Sequence, residues 1–141
     1  MSYIQHIQDS FTYWNTTAGM GASLGVIQDS SRELGVKAPT GTGAAGFIGV
    51  TLESKETTLL SGVPPIAAGP QTIQRAGIAV GVAYGAINIG DHVKLYSTGG
   101  KFMSAEQATP SATWVVGRAV TAAVNDGDLF SFEIEKQYIT V

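Results

Sequence analysis

The chain has no cysteine. That excludes disulfides, thiolate catalysis and the common cysteine-ligated zinc sites together, and it leaves the redox compartment open. Charge is also scarce: Asp, Glu, Lys and Arg make up 13% of the residues, about half the usual share. The eight Lys and Arg residues stand singly and the net charge is -3, so no basic stripe is present to track a phosphate backbone. Nucleic acid is therefore not an expected partner. A membrane is not expected either. The most apolar uncharged stretch, Ala76 to Gly90, is 15 residues, where a spanning helix needs about 20. The N-terminal MSYIQHIQDS lacks the positive cluster and apolar block of a secretory signal, so a soluble protein is expected. Long runs of good helix formers are missing as well, because Gly, Thr, Val and Pro recur throughout.

What remains is 44% apolar residues and 18 glycines in 141 residues, enough for one domain with a real core. So little charge for a free surface suggests either an unusually compact domain or a surface partly covered by other protein. Strand periodicity is strong. Ile78 to Gly85 places large residues at even positions and small ones at odd positions, giving one bulky face and one nearly bare face that lets another backbone come close. Phe47 to Glu53 alternates as a half-buried strand, and Trp114 to Val124 is apolar on both sides, as in a strand covered on two faces. Phe130, Phe132 and Ile134 alternate with Ser131, Glu133 and Glu135, a division between core and water. The last two runs are expected to pair through the turn signal Asn125-Asp126-Gly127. A second hairpin is expected around Ser97-Thr98-Gly99-Gly100-Lys101.

Glycine followed by aspartate opens two of these strands, in NIGDHV at Asn88–Val93 and NDGDLF at Asn125–Phe130. Gly90 and Gly127 supply the turn, Asp91 and Asp128 bond their own backbone, and a strand follows. Residues 61 to 70, with Pro64-Pro65 and Pro70, read as an extended loop, and Ser30 to Leu34 as at most one helical turn. Residues 1 to 17 read as an extended arm and 18 to 141 as a single β domain. The arm carries Tyr3, Ile4, Ile7, Phe11, Tyr13 and Trp14, and an arm this aromatic is rarely left in water.

Several motifs suggest chemistry that their context withholds. Gly41-Thr42-Gly43-Ala44-Ala45-Gly46 matches G-x-G-x-x-G, but a strand-like run follows it instead of a helix N-terminus, so a loop is expected. Gly77, Gly81 and Gly85 repeat every four residues; the period-two bulk around them argues for a close-packing or oligomer face on a strand rather than a helix seam. Asn15-Thr16-Thr17 is a formal glycosylation sequon. His6 and His92 stand apart without clustered acids, and Asp91, Asp126 and Asp128 lack the density of a calcium loop. Glu133 and Glu135 share a strand face and read as solvated. No catalytic centre, metal or cofactor is expected.

The order Gln74-Arg75-Ala76-Gly77-Ile78-Ala79-Val80, then Ile89-Gly90-Asp91-His92-Val93, then Gly100-Lys101, Val116-Gly117-Arg118-Ala119 and Gly127-Asp128-Leu129-Phe130-Ser131-Phe132 resembles tailed-phage head decoration proteins, also called capsid cement proteins. Gly49-Val50-Thr51-Leu52 resembles an earlier strand of the same pattern. The resemblance spans roughly residues 44 to 135. It implies an all-β fold, a small β-barrel or β-tulip-like domain with an extended N-terminal arm. It also implies residence on the outer surface of an icosahedral head, with the major capsid protein and further copies in a homotrimer as partners. Tyr3, Ile4, Phe11, Tyr13 and Trp14 would then be capsid-binding anchors, unless the arm folds back as an edge strand of its own domain. A carbohydrate-binding or adhesin-like module of a phage tail or fibre is the competing expectation, since aromatics on a β scaffold can stack on sugar rings.

Overall fold

The structure is a computed structural model and describes residues 3–41, 45–53, 68–96 and 99–141. The described residues contain strands and turns with no helix, so the all-β expectation holds. Nine strands form among the described residues: β1 His6–Asn15, β2 Gly25–Gln28, β3 Gly35–Lys37, β4 Phe47–Thr51, β5 Gly69–Val82, β6 His92–Leu95, β7 Phe102–Ser104, β8 Ala112–Ala119 and β9 Leu129–Thr140. They make one sheet in the order β1-β3-β2-β4-β5-β9-β8-β6-β7, and β1 also pairs with β5. That extra pairing curls the first five strands into a ring. At the other end an isolated bridge from Ala83 to Phe102 brings the start of β7 back beside the end of β5. The result is barrel-like, with the 14-residue β5 shared by both halves.

The expected pairing of the last two strand runs is present: β8 and β9 pair antiparallel from Ala112↔Thr140 to Ala119↔Phe132. A bulge between Val115 and Gly117 resets the alternation, so Val116 and Ala119 both enter the core. Their connection is wider than the tight hairpin expected at Asn-Asp-Gly, because residues 120–128 fold back and Ala123 bridges Ile87. The β6–β7 hairpin forms as expected, although Ser97 and Thr98 in its turn lie outside the described residues. So do Thr42–Ala44 of the glycine-rich motif and the Pro64-Pro65 segment. Gly46 leads directly into β4, which bears out the context test against a dinucleotide loop. Ser30–Leu34 makes turns and no helical turn.

Two apolar clusters fill the two halves. The larger joins Phe102, Phe130, Phe132 and Phe47 with Val93, Leu95, Val116 and Ile87, all buried. Phe102 touches three other rings, at centroid distances of 6.4 Å to Phe47, 6.3 Å to Phe130 and 4.8 Å to Phe132. The bare side of β5 makes room for them: a Cβ at Gly81 would lie 2.8 Å from Phe102 Cδ2 and 3.1 Å from Phe130 Cε1. The smaller cluster is Met20, Val26, Val36 and Ile73, with Tyr13, Leu24 and Ile48 against it. Around it lie buried amides. Asn15 Nδ2 donates to Gln71 Oε1 at 2.6 Å, and Gln71 Nε2 donates to the Glu53 carbonyl at 2.7 Å.

Candidate functional site

The N-terminal segment does not stand off as an arm. Strand β1 pairs antiparallel with β5 from His6↔Ile78 to Asn15↔Gly69, through register shifts on either side of Asp9. The fold-back alternative is the one the structure adopts, because the extended segment gains a ladder of backbone bonds on β5. Gly77 permits the start of that ladder: its φ is +97°, and a Cβ there would collide with the His6 carbonyl. Before β1, Ile4 is fixed to β9, its N–H donating to Ser131 Oγ at 2.6 Å and its carbonyl accepting from the same hydroxyl at 2.5 Å.

The side chains of β1 are nonetheless outside. From His6 to Thr12 every residue is exposed, Tyr13 and Trp14 are half-buried, and Asn15 is fully buried. Phe11 meets Tyr13 edge-on at 5.4 Å, and Arg75 from β5 clamps this face. Its guanidinium donates to Asp9 Oδ2 at 2.7 Å and to the Tyr13 hydroxyl at 3.2 Å. Tyr3, Ile4, Ile7 and Phe11 remain roughly half exposed.

Strand β3 meets β1 only at Trp14↔Gly35 and Asn15↔Val36. Upstream of Trp14, no described strand pairs with that edge of β1. The chain entering β3 turns away instead, in a loop over residues 29–35. Asp29 organises the loop: its carboxylate accepts from Thr16 Oγ1 at 2.6 Å and from the N–H and hydroxyl of Ser31 at 3.0 and 2.7 Å. The hydroxyl of Thr16, followed by the Ser31 groups, lowers its pKa from 3.8 to about 2. Leu34 takes a φ of +52° there and stays exposed, a strained backbone for a branched residue. Arg32 lays its guanidinium on the Trp14 ring, 3.9 Å from the centroid. Two shallow clefts flank this stack. One, of about 500 Å3, lies between the loop and Ile48 and Tyr13; the other, of about 230 Å3, lies between the loop and Thr12, Trp14 and Pro70.

The three glycines of the proposed packing face do not share a surface. Gly77 faces the β1 backbone, Gly81 faces the core phenylalanines, and Gly85 sits in a turn at φ +76° with open space around it. As an oligomer face the series is corrected, because two of its members are consumed inside the fold. The two Gly-Asp turns are built alike. Gly90 and Gly127 both have φ +90°, and the aspartate N–H donates to the Asn88 and Asn125 carbonyls at 3.1 Å. Asp91 Oδ2 accepts from Asn88 N–H at 2.9 Å, and Asp128 Oδ2 accepts from Asn125 N–H at 2.9 Å and Val124 N–H at 3.1 Å. The Asn125 N–H, with that of Val124, lowers the Asp128 pKa.

His6 is exposed at the start of β1. His92 Nδ1 lies 2.9 Å from Glu106 Oε1, which also accepts the His92 backbone N–H; that N–H lowers the Glu106 pKa. Asp126 pairs with Lys101 at 3.2 Å. Among the described residues no three His, Asp or Glu side chains gather into a metal-sized group. The sequon asparagine, Asn15, is buried in the amide network. Sequence reasoning missed Arg32, Leu34 and the Asp29 loop. The run Asp29-Ser30-Ser31 carries a legible signal, since aspartate followed two residues later by serine favours an Asx turn.

No family model and no curated protein matches this sequence. Among solved structures the chain is similar to the crystal structure of the head fiber gp8.5 N base in bacteriophage phi29. The identity is 16%, the TM-score is 0.58, and the alignment covers 93% of this chain and 97% of that one. At that identity the likeness establishes a shared fold, extending over nearly the whole of both chains.

Proposed function

We propose that this protein is a structural component of a phage head, a decoration or cement protein. In this reading it sits on the outside of the icosahedral shell and bridges major capsid subunits. One observation carries the reading: the full-length fold likeness is to the base of a head fiber, and the glycine-aspartate motifs resemble the cement family independently of that likeness. The physical account is mass action. A protein that binds only the expanded shell stabilises that state by about 2.7 kcal/mol per site when its free concentration is one hundred times Kd. Many sites of ordinary affinity are then enough to resist a packaged genome, and no turnover is required of any residue.

The docking surface in this reading is the β1 face, with Tyr3, Ile4 and Phe11 exposed, Tyr13 packed against the smaller core and Trp14 beneath Arg32. Association into a trimer, if it accompanies loading, uses surfaces other than the glycine series; the β8–β9 ribbon, with Trp114 and the exposed Tyr138 tilted together at 5.3 Å, is available for it. The carbohydrate reading is weaker. The Trp14 ring carries Arg32 on one face, and Tyr84 and Tyr96 stack on each other at 3.5 Å.

The test is co-sedimentation of the purified chain with empty expanded heads assembled from the shell subunit of the virus whose genome carries this sequence. Saturable loading, with heads rupturing at higher temperature once loaded, is the expected result. Failure to load, with binding to a glycan array instead, would replace this reading with the adhesin one.

A further inference from the structure

Strand β1 keeps one edge open, and that edge runs into the cleft beside Arg32. The N–H groups of Trp14 and Thr16 donate across this edge to the Leu34 and Val36 carbonyls, both at 2.9 Å. By the alternation of an antiparallel ladder, the N–H and C=O of Ser10 and Thr12 point to the same side, where no described strand receives them. Both residues are exposed. Unpaired edge groups of this kind are a template for an added strand.

The end of the open edge is chemically marked. Of the three arginines, Arg75 bonds Asp9 and Tyr13, and Arg118 bonds the Gly90 carbonyl. The Arg32 guanidinium hydrogen-bonds no described residue and lies over the Trp14 ring, 3.9 Å from its centroid. A planar fork of donors, fixed in place and uncommitted, fits a carboxylate through two parallel bonds. Thr12, Leu34 and Pro70 wall the same cleft of about 230 Å3, large enough for one side chain. Glu33 also lines it, so the cleft has a cationic and an anionic wall. Asp9, the one acid of β1, is already paired with Arg75.

We propose that β1 accepts an extended segment of the shell subunit as an added strand along Ser10–Tyr13, and that Arg32 receives a carboxylate side chain of that segment. The proposal rests on the cement reading and supplies its contact: backbone pairing gives strength, and the carboxylate at Arg32 fixes register.

The test compares affinities of full-length variants for the same expanded heads, each variant first checked for wild-type circular dichroism and melting. Thr12→Pro removes an outward N–H without removing a bond to β5, and a proline is tolerated at such an edge. It should weaken loading by about tenfold, since one backbone bond is lost and its acceptor on the added strand is left unpaired. Arg32→Lys keeps the charge and loses the fork; a weakening of about tenfold is expected. Glu33→Gln should tighten loading, since it removes the like charge facing the incoming carboxylate.

If Thr12→Pro does not fold, hydrogen exchange on the wild-type chain replaces it: the Ser10 and Thr12 amides should slow on loaded heads. Wild-type loading with unchanged affinity in Thr12→Pro and Arg32→Lys, or with unchanged exchange at those amides, overturns the strand assignment and leaves the cement reading standing. Absence of wild-type loading overturns both.

Discussion

Around Phe102 the molecule is held by apolar contact; around Asn15 it is held by hydrogen bonds. In the first region four phenylalanine rings converge on the bare side of β5, and the buried residues are almost all apolar. In the second, four apolar residues are buried among the described residues, and Asn15, Gln71, Gln74, Asp29 and Thr51 are buried beside them. The difference teaches where each kind of stability resides. A carbon core tolerates pH and salt and fails when volume is removed, whereas an amide network fails when one partner leaves. The second region also carries the open edge of β1 and the Asp29 loop, so the surface proposed for docking is mounted on the part with the smaller apolar core. Binding surfaces are commonly drawn from such parts.

The largest way to break the comparison is to empty the first region. Phe102→Ala should cost about 3–5 kcal/mol, measured by urea unfolding, because its ring fills the space left by Gly81 and meets three other rings. Overpacking is next. Gly81→Val should cost about 1–3 kcal/mol by the same measurement, since its Cβ would already press on Phe102 and Phe130. A Gly81→Val protein as stable as wild type would mean that the rings are less tightly seated than the geometry states.

In the second region Asn15→Ala should cost about 1–3 kcal/mol, since it takes the donor away from the buried Gln71 Oε1 and the acceptor away from Thr17 N–H. Native-state hydrogen exchange should show the loss concentrated in β1 and β3, with β9 unaffected near Phe130. A loss spread evenly over both regions would erase the distinction between them.

The smallest effect sharpens the comparison through pH. Asp29 has a folded pKa of about 2 against an ordinary 3.8, so its charged form stabilises the fold. That contribution is fully present above its unfolded pKa and disappears as pH falls through the folded value. Asp29→Asn should therefore lower stability at neutral pH and flatten the acid limb below about pH 4. Trp14 fluorescence in a Trp114→Phe background reads this locally. Asp128 and Glu106 are lowered as well, and both belong to the first region, so some acid sensitivity should survive the substitution.

Legibility in the sequence followed the range of the interaction. The β6–β7 hairpin, the β8–β9 pairing and both Gly-Asp turns rest on residues close together in the chain, where alternation and turn chemistry speak directly. The mate of β1 was not legible, because β5 begins at Gly69 and nothing in the arm itself names a distant partner. The bare side of β5 was visible, but the rings that fill it come from β7 and β9. Gln71 and Gln74 were hidden for another reason: polar residues in an alternating strand suggest water, and here their side chains bond within the fold. Gln74 Nε2 donates to the Ala76 carbonyl at 3.0 Å and the Ile78 carbonyl at 3.1 Å, beside the Gly77 irregularity. At the candidate site, Phe11, Tyr13 and Trp14 were read from the sequence as anchors, whereas the Arg32 stack depends on a loop that only the fold brings over Trp14.

The central claim is that this chain grips a shell through the open side of β1. A density map of intact particles of the virus that carries this sequence tests it most directly. The account predicts the chain on the outer surface, with Ser10–Tyr13 against a shell subunit and Arg32 facing an acidic residue of it. Shells bare of this chain, or a chain seated by a surface other than β1, would contradict it.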